Sequence, residues 1–179
     1  MSFEVELKAW VDDPVSIEKK LIDNYDFRGS CIKRDTYYIT SDKNKKFRLR
    51  IQENASGGSK KFIVTIKDKK IKEGMEENKE TEFSVSDDKS FISFIEKLDC
   101  RVFSKKTKYC KLFMSGKYTI ELNNVESLGY FIEIERLLEE RNSGLISRVR
   151  KDILDIIDKL GIAKSRIESR TYNAMLSGK

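Results

Sequence analysis

Phe3-Glu4-Val5-Glu6-Leu7-Lys8 opens the chain in strict alternation. Side chains two apart on a strand share a face, so Glu4, Glu6 and Lys8 stand in one row with Phe3, Val5 and Leu7 behind them. A half-exposed edge strand has the same pattern. The stretch becomes decisive because the chain repeats it at Arg48/Arg50, Thr65/Lys67, Glu80/Glu82, Lys106/Lys108, Glu121/Asn123 and Glu133/Glu135. The residues between the members of these pairs are Leu49, Ile66, Thr81, Thr107, Leu122 and Ile134. Nearly every predicted strand therefore has one charged face and one mostly apolar face.

The intervening sequence supplies helices to cover the apolar faces. Pro14, Ile17, Leu21, Ile22 and Tyr25 predict an amphipathic helix over 14–26, broken by Gly29-Ser30. Strands are expected over 32–39, 47–51 and 62–67, with a polar loop over 41–46. The basic, glycine-containing stretch 68–78 reads as a mobile loop. Ser86, Asp87 and Asp88 are N-cap candidates for a helix over 88–98 that turns Phe91, Phe94, Ile95 and Leu98 inward. Strands follow over 101–103, 105–113, 118–122 and 130–137, the first two compatible with one bent strand. A long helix runs from Asn142-Ser143 to Leu160 on a stripe of Ile146, Val149, Ile153, Leu154, Ile156, Ile157 and Leu160, and a last helix is expected over 165–176.

Two arrangements satisfy this pattern. An open antiparallel sheet with helices on one face and solvated charges on the other is the commoner one. The alternative closes the sheet into a barrel with the charged rows inside, which removes the edges. Arginine pairs are unexpected on a purely solubilising face, and the basic and acidic members of the rows nearly balance, which a lumen requires. The reading adopted is an α+β fold: one domain, 1–179, with a closed eight-stranded antiparallel β-barrel, a charged lumen and amphipathic helices outside.

Composition narrows the chemistry. The 179 residues carry 37% charged side chains and a net charge of +6, which favours anionic partners without choosing among them. There is no histidine, so imidazole bases and histidine metal ligands are excluded. A metal would be held mainly by oxygen, which points to Mg²⁺ or Mn²⁺. Cys31, Cys100 and Cys110 have no paired spacing and read as reduced, buried thiols. No signal peptide and no apolar run of about 18 residues is visible, so a cytoplasmic protein with no membrane partner is expected.

Five ordered motifs resemble the CYTH superfamily, the triphosphate tunnel metalloenzymes. Glu4-x-Glu6-x-Lys8 resembles the E-x-E-x-K signature of that family. Phe47-Arg48-Leu49-Arg50 resembles its L-R-x-R strand, and Thr65-Ile66-Lys67 its T-x-K strand. Lys106-Thr107-Lys108 stands where K-x-R is usual, and Leu128-Gly129-Tyr130-Phe131-Ile132-Glu133-Ile134-Glu135 resembles L-G-x-F-x-E-I-E. The resemblance covers residues 1–136 and is nearest the bacterial class IV adenylyl cyclases. It implies an eight-stranded tunnel that binds a nucleoside triphosphate or other triphosphate with Mg²⁺ or Mn²⁺. It also implies a homodimer and no nucleic-acid partner.

Carried over residue by residue, Glu4, Glu6, Glu133 and Glu135 are implied metal ligands, with Glu121 and Asn123 beside them. Lys8, Arg48, Arg50, Lys67, Lys106 and Lys108 are implied phosphate-binding groups, and Glu80 and Glu82 lie on the tunnel wall. Glu4, Glu6, Lys8 and Lys67 are the expected catalytic set. Asn123 departs from the usual Asp and gives up a charge. Lys108 departs from the usual Arg and gives up a bidentate contact. The implied reaction is cyclisation of ATP to 3′,5′-cyclic AMP and pyrophosphate. The rivals are a triphosphatase acting on thiamine triphosphate, inorganic triphosphate or a nucleotide, and a non-catalytic binder of polyphosphate or nucleic acid. Trp10, Tyr37 and Tyr38 read as packing or barrel wall, and the register of Arg34 is open by one residue.

Overall fold

The structure is a computed structural model that describes residues 2–43, 45–72, 74–140 and 142–178. Asn44 of the expected polar loop, Glu73 of the expected mobile loop, Arg141, and Met1 and Lys179 at the ends of the expected domain lie outside the described residues. Eight strands alternate with helices in the order β1 (Ser2–Trp10), α1 (Pro14–Asn24), β2 (Asp26–Ile39), β3 (Lys46–Asn54), β4 (Lys61–Lys72), β5 (Met75–Val85), α2 (Asp88–Glu96), β6 (Arg101–Ser115), β7 (Tyr118–Val125), β8 (Gly129–Leu138), α3 (Ser143–Leu160) and α4 (Tyr172–Leu176). The strands close into a barrel in the order β1-β5-β4-β3-β2-β6-β7-β8. Every neighbouring pair is antiparallel, and β8 returns to β1 through Glu6 opposite Glu135 and Lys8 opposite Glu133.

Closure puts the hydrophobic core outside the barrel. Val5, Leu7 and Ala9 of β1, Ile120 and Leu122 of β7, and Ile132 and Ile134 of β8 form one apolar sheet face. Ile17 and Leu21 of α1 and Ile146, Val149, Ile153, Ile156, Ile157 and Leu160 of α3 cover it. Asp13 and Asn142 cap the starts of α1 and α3 by accepting from Ser16 N and Leu145 N. Gly161, at φ 76°, ends α3 in the left-handed conformation that glycine adopts without penalty. A smaller cluster of Tyr38, Leu49, Val64 and Ile95 sits under α2. Among the described residues no helix is long and apolar enough to cross a membrane.

Several boundaries differ from expectation for physical reasons. Gly29-Ser30 is not what ends the first helix: α1 stops at Asn24, β2 starts at Asp26 and runs through Gly29, which sits at φ 126° where the β2/β6 register shifts. The stretch 68–78 is no loop but the far end of a long β4/β5 hairpin, with Lys69 opposite Asn78 and Gly74 in the turn. Its lysines and glutamates weaken the β signal in sequence, but they pair across the ladder. Strands expected over 101–103 and 105–113 are one strand, β6. α2 ends at Glu96 rather than at 98, and Phe94 of α2, Leu98 beyond its end and Ile22 of α1 are exposed rather than inward, because each short helix has a narrow sheet surface to cover. The helix expected over 165–176 is a single turn at Lys164–Arg166, a bridge between Ile167 and Ala9, and the short α4.

Because the core lies outside, truncating it leaves the lumen's charged rows in place. Ile153→Ala removes a fully buried side chain from α3 and is expected to cost about 2–4 kcal/mol in chemical denaturation. A cost below about 1 kcal/mol would mean that α3 does not carry the barrel's packing.

Candidate active site

The inward rows enclose a cavity of about 970 Å³. Of the residues expected to face it, all except Asn123 line its wall; Asn123 is fully buried behind Glu121 and Glu133. Arg34 points outward and pairs with Glu53 at 3.0 Å, which resolves its register. Trp10 packs against Phe131 with ring centroids 4.1 Å apart. Tyr38 lies in the outer cluster, whereas Tyr37 lines the cavity.

One side of the lumen is acidic. Carboxylate oxygens of Glu4, Glu6 and Glu135 lie within 4.8 Å of one another. The β1/β8 register explains this, since it sets Glu6 directly across from Glu135. Burial and the neighbouring charges of Glu4 and Glu133 push the Glu6 carboxyl up to about 8. Glu135, next to Glu4, Glu121 and Glu6, is raised well above the ordinary carboxylate range, chiefly by burial, and Glu4 is raised for the same reason. The ammonium of Lys67 answers part of this charge, 2.9 Å from Glu4 and 3.9 Å from Glu6, and also pairs with Glu80. Oε1 of Glu4 is buried without a hydrogen-bond partner. Three close, partly unneutralised carboxylates with an orphaned oxygen fit a hard divalent cation.

A second side is basic. Asp35 is 2% exposed and accepts from Arg50 Nε at 2.7 Å and Nη2 at 3.0 Å. Lys106 approaches the same carboxylate at 3.2 Å. Burial alone would raise the Asp35 carboxyl, but Arg50 and Lys106 together hold it well below the usual carboxylate range. Arg48 donates to Thr65 at 2.8 Å, and Thr65 donates to Glu82 at 3.0 Å at the more open rim. Arg50 and Lys106 thus converge on one buried carboxylate, while the adjacent Arg48 lies 3.8 Å from Glu82.

Between the two sides lies a compensated set. Lys108 pairs with Glu133 at 2.5 Å and Glu121 at 3.5 Å, and Lys33 pairs with Glu121. Lys108, with Lys106, holds Glu133 down to about 2 against the effect of burial, and Lys33 and Lys108 keep Glu121 well below the usual range. Asn123 donates to Glu133 at 3.0 Å and Glu121 at 3.3 Å. Its amide nitrogen thus serves the carboxylates, while its own Oδ1 is buried without a hydrogen-bond partner. Lys8 reaches the backbone oxygen of Arg170 at 2.5 Å, and burial lowers its ammonium pKa. Lys8, Lys106 and Lys108 lie 4.5, 4.6 and 5.6 Å from the ring centre of Tyr172.

Sequence reasoning missed Lys33, Asp35, Glu76 and Tyr172. The first two alternate at i, i+2 with Tyr37, which was read as barrel wall, within a strand already recognised, so their shared face was legible. Glu76, paired with Lys69 at 2.6 Å, was hidden by the loop reading of 68–78. Tyr172 reaches the lumen from α4, and no local pattern signals that placement.

Against known proteins, no family model matches the chain. A curated Methanocaldococcus jannaschii protein named "Putative adenylate cyclase" is 25% identical over 175 residues, covering 94% of this chain and 95% of that one. The solved structure of a Pyrococcus horikoshii protein superposes with a TM-score of 0.85 at 27% identity, over 98% of this chain and 99% of that one. A Hippeastrum protein, called a putative adenylyl cyclase and described as having a dominant triphosphatase activity, superposes with a TM-score of 0.67 at 14% identity, over 100% and 97% of the two chains. The chain has the closed eight-stranded barrel fold of the CYTH proteins. The stretch Glu4-x-Glu6-x-Lys8, which resembles the CYTH signature, lies on β1, and all three of its charged residues line the barrel cavity.

The raised Glu6 carboxyl has a consequence for pH. A folded-state value of about 8, against ~4.3 for an ordinary glutamate, means that the folded protein keeps a proton the unfolded chain has released. Between these values, the metal-free protein loses stability as pH rises. A divalent cation bound by the three glutamates displaces that proton. Mg²⁺ or Mn²⁺ is therefore expected to raise the thermal midpoint more at about pH 8.5 than at about pH 5.5, and to do so less in Glu6→Gln. Equal shifts at both pH values would remove Glu6 from the cation site.

Proposed function

We propose that this chain is a metal-dependent enzyme of the class IV adenylyl cyclase type, converting ATP to 3′,5′-cyclic AMP and pyrophosphate. The observation that carries the reading is the separation of unbalanced charge within one lumen. Glu4, Glu6 and Glu135 outnumber their cationic partner Lys67, and burial together with this imbalance raises their carboxyls, while Arg48, Arg50 and Lys106 outnumber Asp35 and Glu82. A triphosphate carrying a divalent cation matches both imbalances at once. The M. jannaschii relative's name supports the same assignment.

In this reading Glu4, Glu6 and Glu135 hold Mg²⁺ or Mn²⁺, which supplies Lewis-acid polarisation of phosphoryl oxygens and a lowered pKa for an oxygen nucleophile. Arg48 and Arg50 grip the phosphate chain, and Arg50 is pre-aimed by its two bonds to Asp35. Lys106 and Lys108 stabilise the charge that develops on pyrophosphate as the ribose 3′-oxygen bonds to the α-phosphorus and the bond to the β-phosphate oxygen breaks. Lys67 and Lys8 orient the acidic row against the substrate.

A triphosphatase is the second reading, favoured by the activity described for the Hippeastrum neighbour. Water then attacks the terminal phosphate in the same tunnel. Product analysis separates the two. With ATP and Mn²⁺ or Mg²⁺, cyclic AMP and equimolar pyrophosphate are expected, and both are lost in Glu6→Gln. Orthophosphate without cyclic AMP, from ATP, inorganic triphosphate or thiamine triphosphate, moves the chain to the triphosphatase reading. Arg50→Ala is expected to weaken triphosphate binding by about 2 kcal/mol, or ~30-fold in Kd, with partial recovery in Arg50→Lys. Unchanged affinity by calorimetry would put Arg50 outside the phosphate site.

A further inference from the structure

We propose that Cys31 and Cys110 form an oxidisable dithiol within the barrel, which a hydroperoxide converts into a disulfide linking β2 to β6. The two residues lie about 80 positions apart in sequence yet stand directly opposite each other in the β2/β6 ladder. Opposed residues of an antiparallel pair have Cα atoms about 4.5–5.5 Å apart, inside the span that a disulfide bridges. Both thiols are free and buried.

Their surroundings set them apart from ordinary core cysteines. Cys100 packs with the apolar cluster under α2. Cys31 and Cys110 belong to no apolar cluster among the described residues. They occupy the inward rows one step beyond Lys33 and Lys108, and Cys110 lies opposite Asn123 of β7. The adjacent Cys110 thiol, with help from Lys33, lowers the Cys31 thiol to about 7 against the effect of burial. Cys31 is thus the nucleophile of the pair and Cys110 the resolving thiol.

The chemistry balances with one molecule of hydrogen peroxide. The Cys31 thiolate attacks a peroxide oxygen, the O–O bond breaks, and protonation releases water and leaves a sulfenic acid. The Cys110 sulfur then attacks the Cys31 sulfur, and the S–O bond breaks to release a second water. Two thiols are oxidised and one peroxide is reduced. A dithiol reductant reverses the cross-link by exchange.

The test uses the full-length wild-type protein, so it does not depend on how any variant folds. After brief exposure to hydrogen peroxide, the protein is unfolded in N-ethylmaleimide, digested and mapped by mass spectrometry. The expected result is a joined Cys31–Cys110 peptide with the loss of two hydrogens, Cys100 as the alkylated cysteine, and return of both thiols after dithiothreitol. In Cys110→Ser, Cys31 is expected to be trapped as a sulfenic acid by dimedone. Three alkylated cysteines would overturn the proposal. So would Cys31 sulfinic acid beside a free Cys110, or a disulfide that includes Cys100 or a second chain.

Discussion

The structure depends on keeping ionised groups inside a closed sheet. A buried charge without a partner costs several kcal/mol, so the lumen can exist only if its rows neutralise one another across the barrel. Register achieves this. Lys67 of β4 meets Glu80 of β5 by direct pairing, and its ammonium reaches Glu4 of β1. Asp35 of β2 lies opposite Arg50 on one side and Lys106 on the other. A one-residue slip of any strand would turn its charged row into the outer apolar core. The charges therefore fix the register as firmly as the hydrophobic side chains behind them.

Inverting the usual arrangement, with the core outside and charge inside, also explains the helices. A barrel whose interior is polar gains its hydrophobic stabilisation from its outer face. α1 and α3 cover β1, β7 and β8, while α2 covers only Tyr38, Leu49 and Val64. That asymmetry leaves Phe94 and Leu98 in solvent, although the period of α2 predicts an inward stripe. Hydrophobic periodicity reports which residues could be buried together; the area of the opposing surface decides which ones are.

Much of the barrel and most of the candidate site were legible in sequence because both obey the period-2 rule, and that rule needs no knowledge of distant contacts. Glu6 and Glu135 could be assigned to inward faces separately. That they would meet was implied only by the family resemblance. What escaped was non-local or locally disguised. Gly29 reads as a breaker, but a positive φ is what a bulge requires. Lys69, Lys70 and Glu76–Asn78 look like loop chemistry, yet they form a ladder whose charges pair. Tyr172 enters the lumen through the path of a C-terminal segment, and that path is set by Ile167 bridging Ala9 and by the Lys8 contact with the Arg170 carbonyl.

Asn123 illustrates how the charge constraint shapes a single position. Its neighbours Glu121 and Glu133 already face two lysines, Lys33 and Lys108. That set is electrically even, and the Asn123 amide adds two donors without adding charge. An aspartate there would place a third carboxylate against two, with no further cation within this set. Lys33 and Asn123 are thus two sides of one adjustment: an added positive charge on β2 and a withheld negative charge on β7. The excess of acid in the lumen thereby lies at Glu4, Glu6 and Glu135, and the excess of base at Arg48, Arg50 and Lys106, with Lys8 bound to the Arg170 carbonyl. A lumen in which every ion was paired would have no electrostatic reason to take up a ligand. This one is neutral across its middle and polarised at its sides, which is the distribution a charged, elongated guest requires.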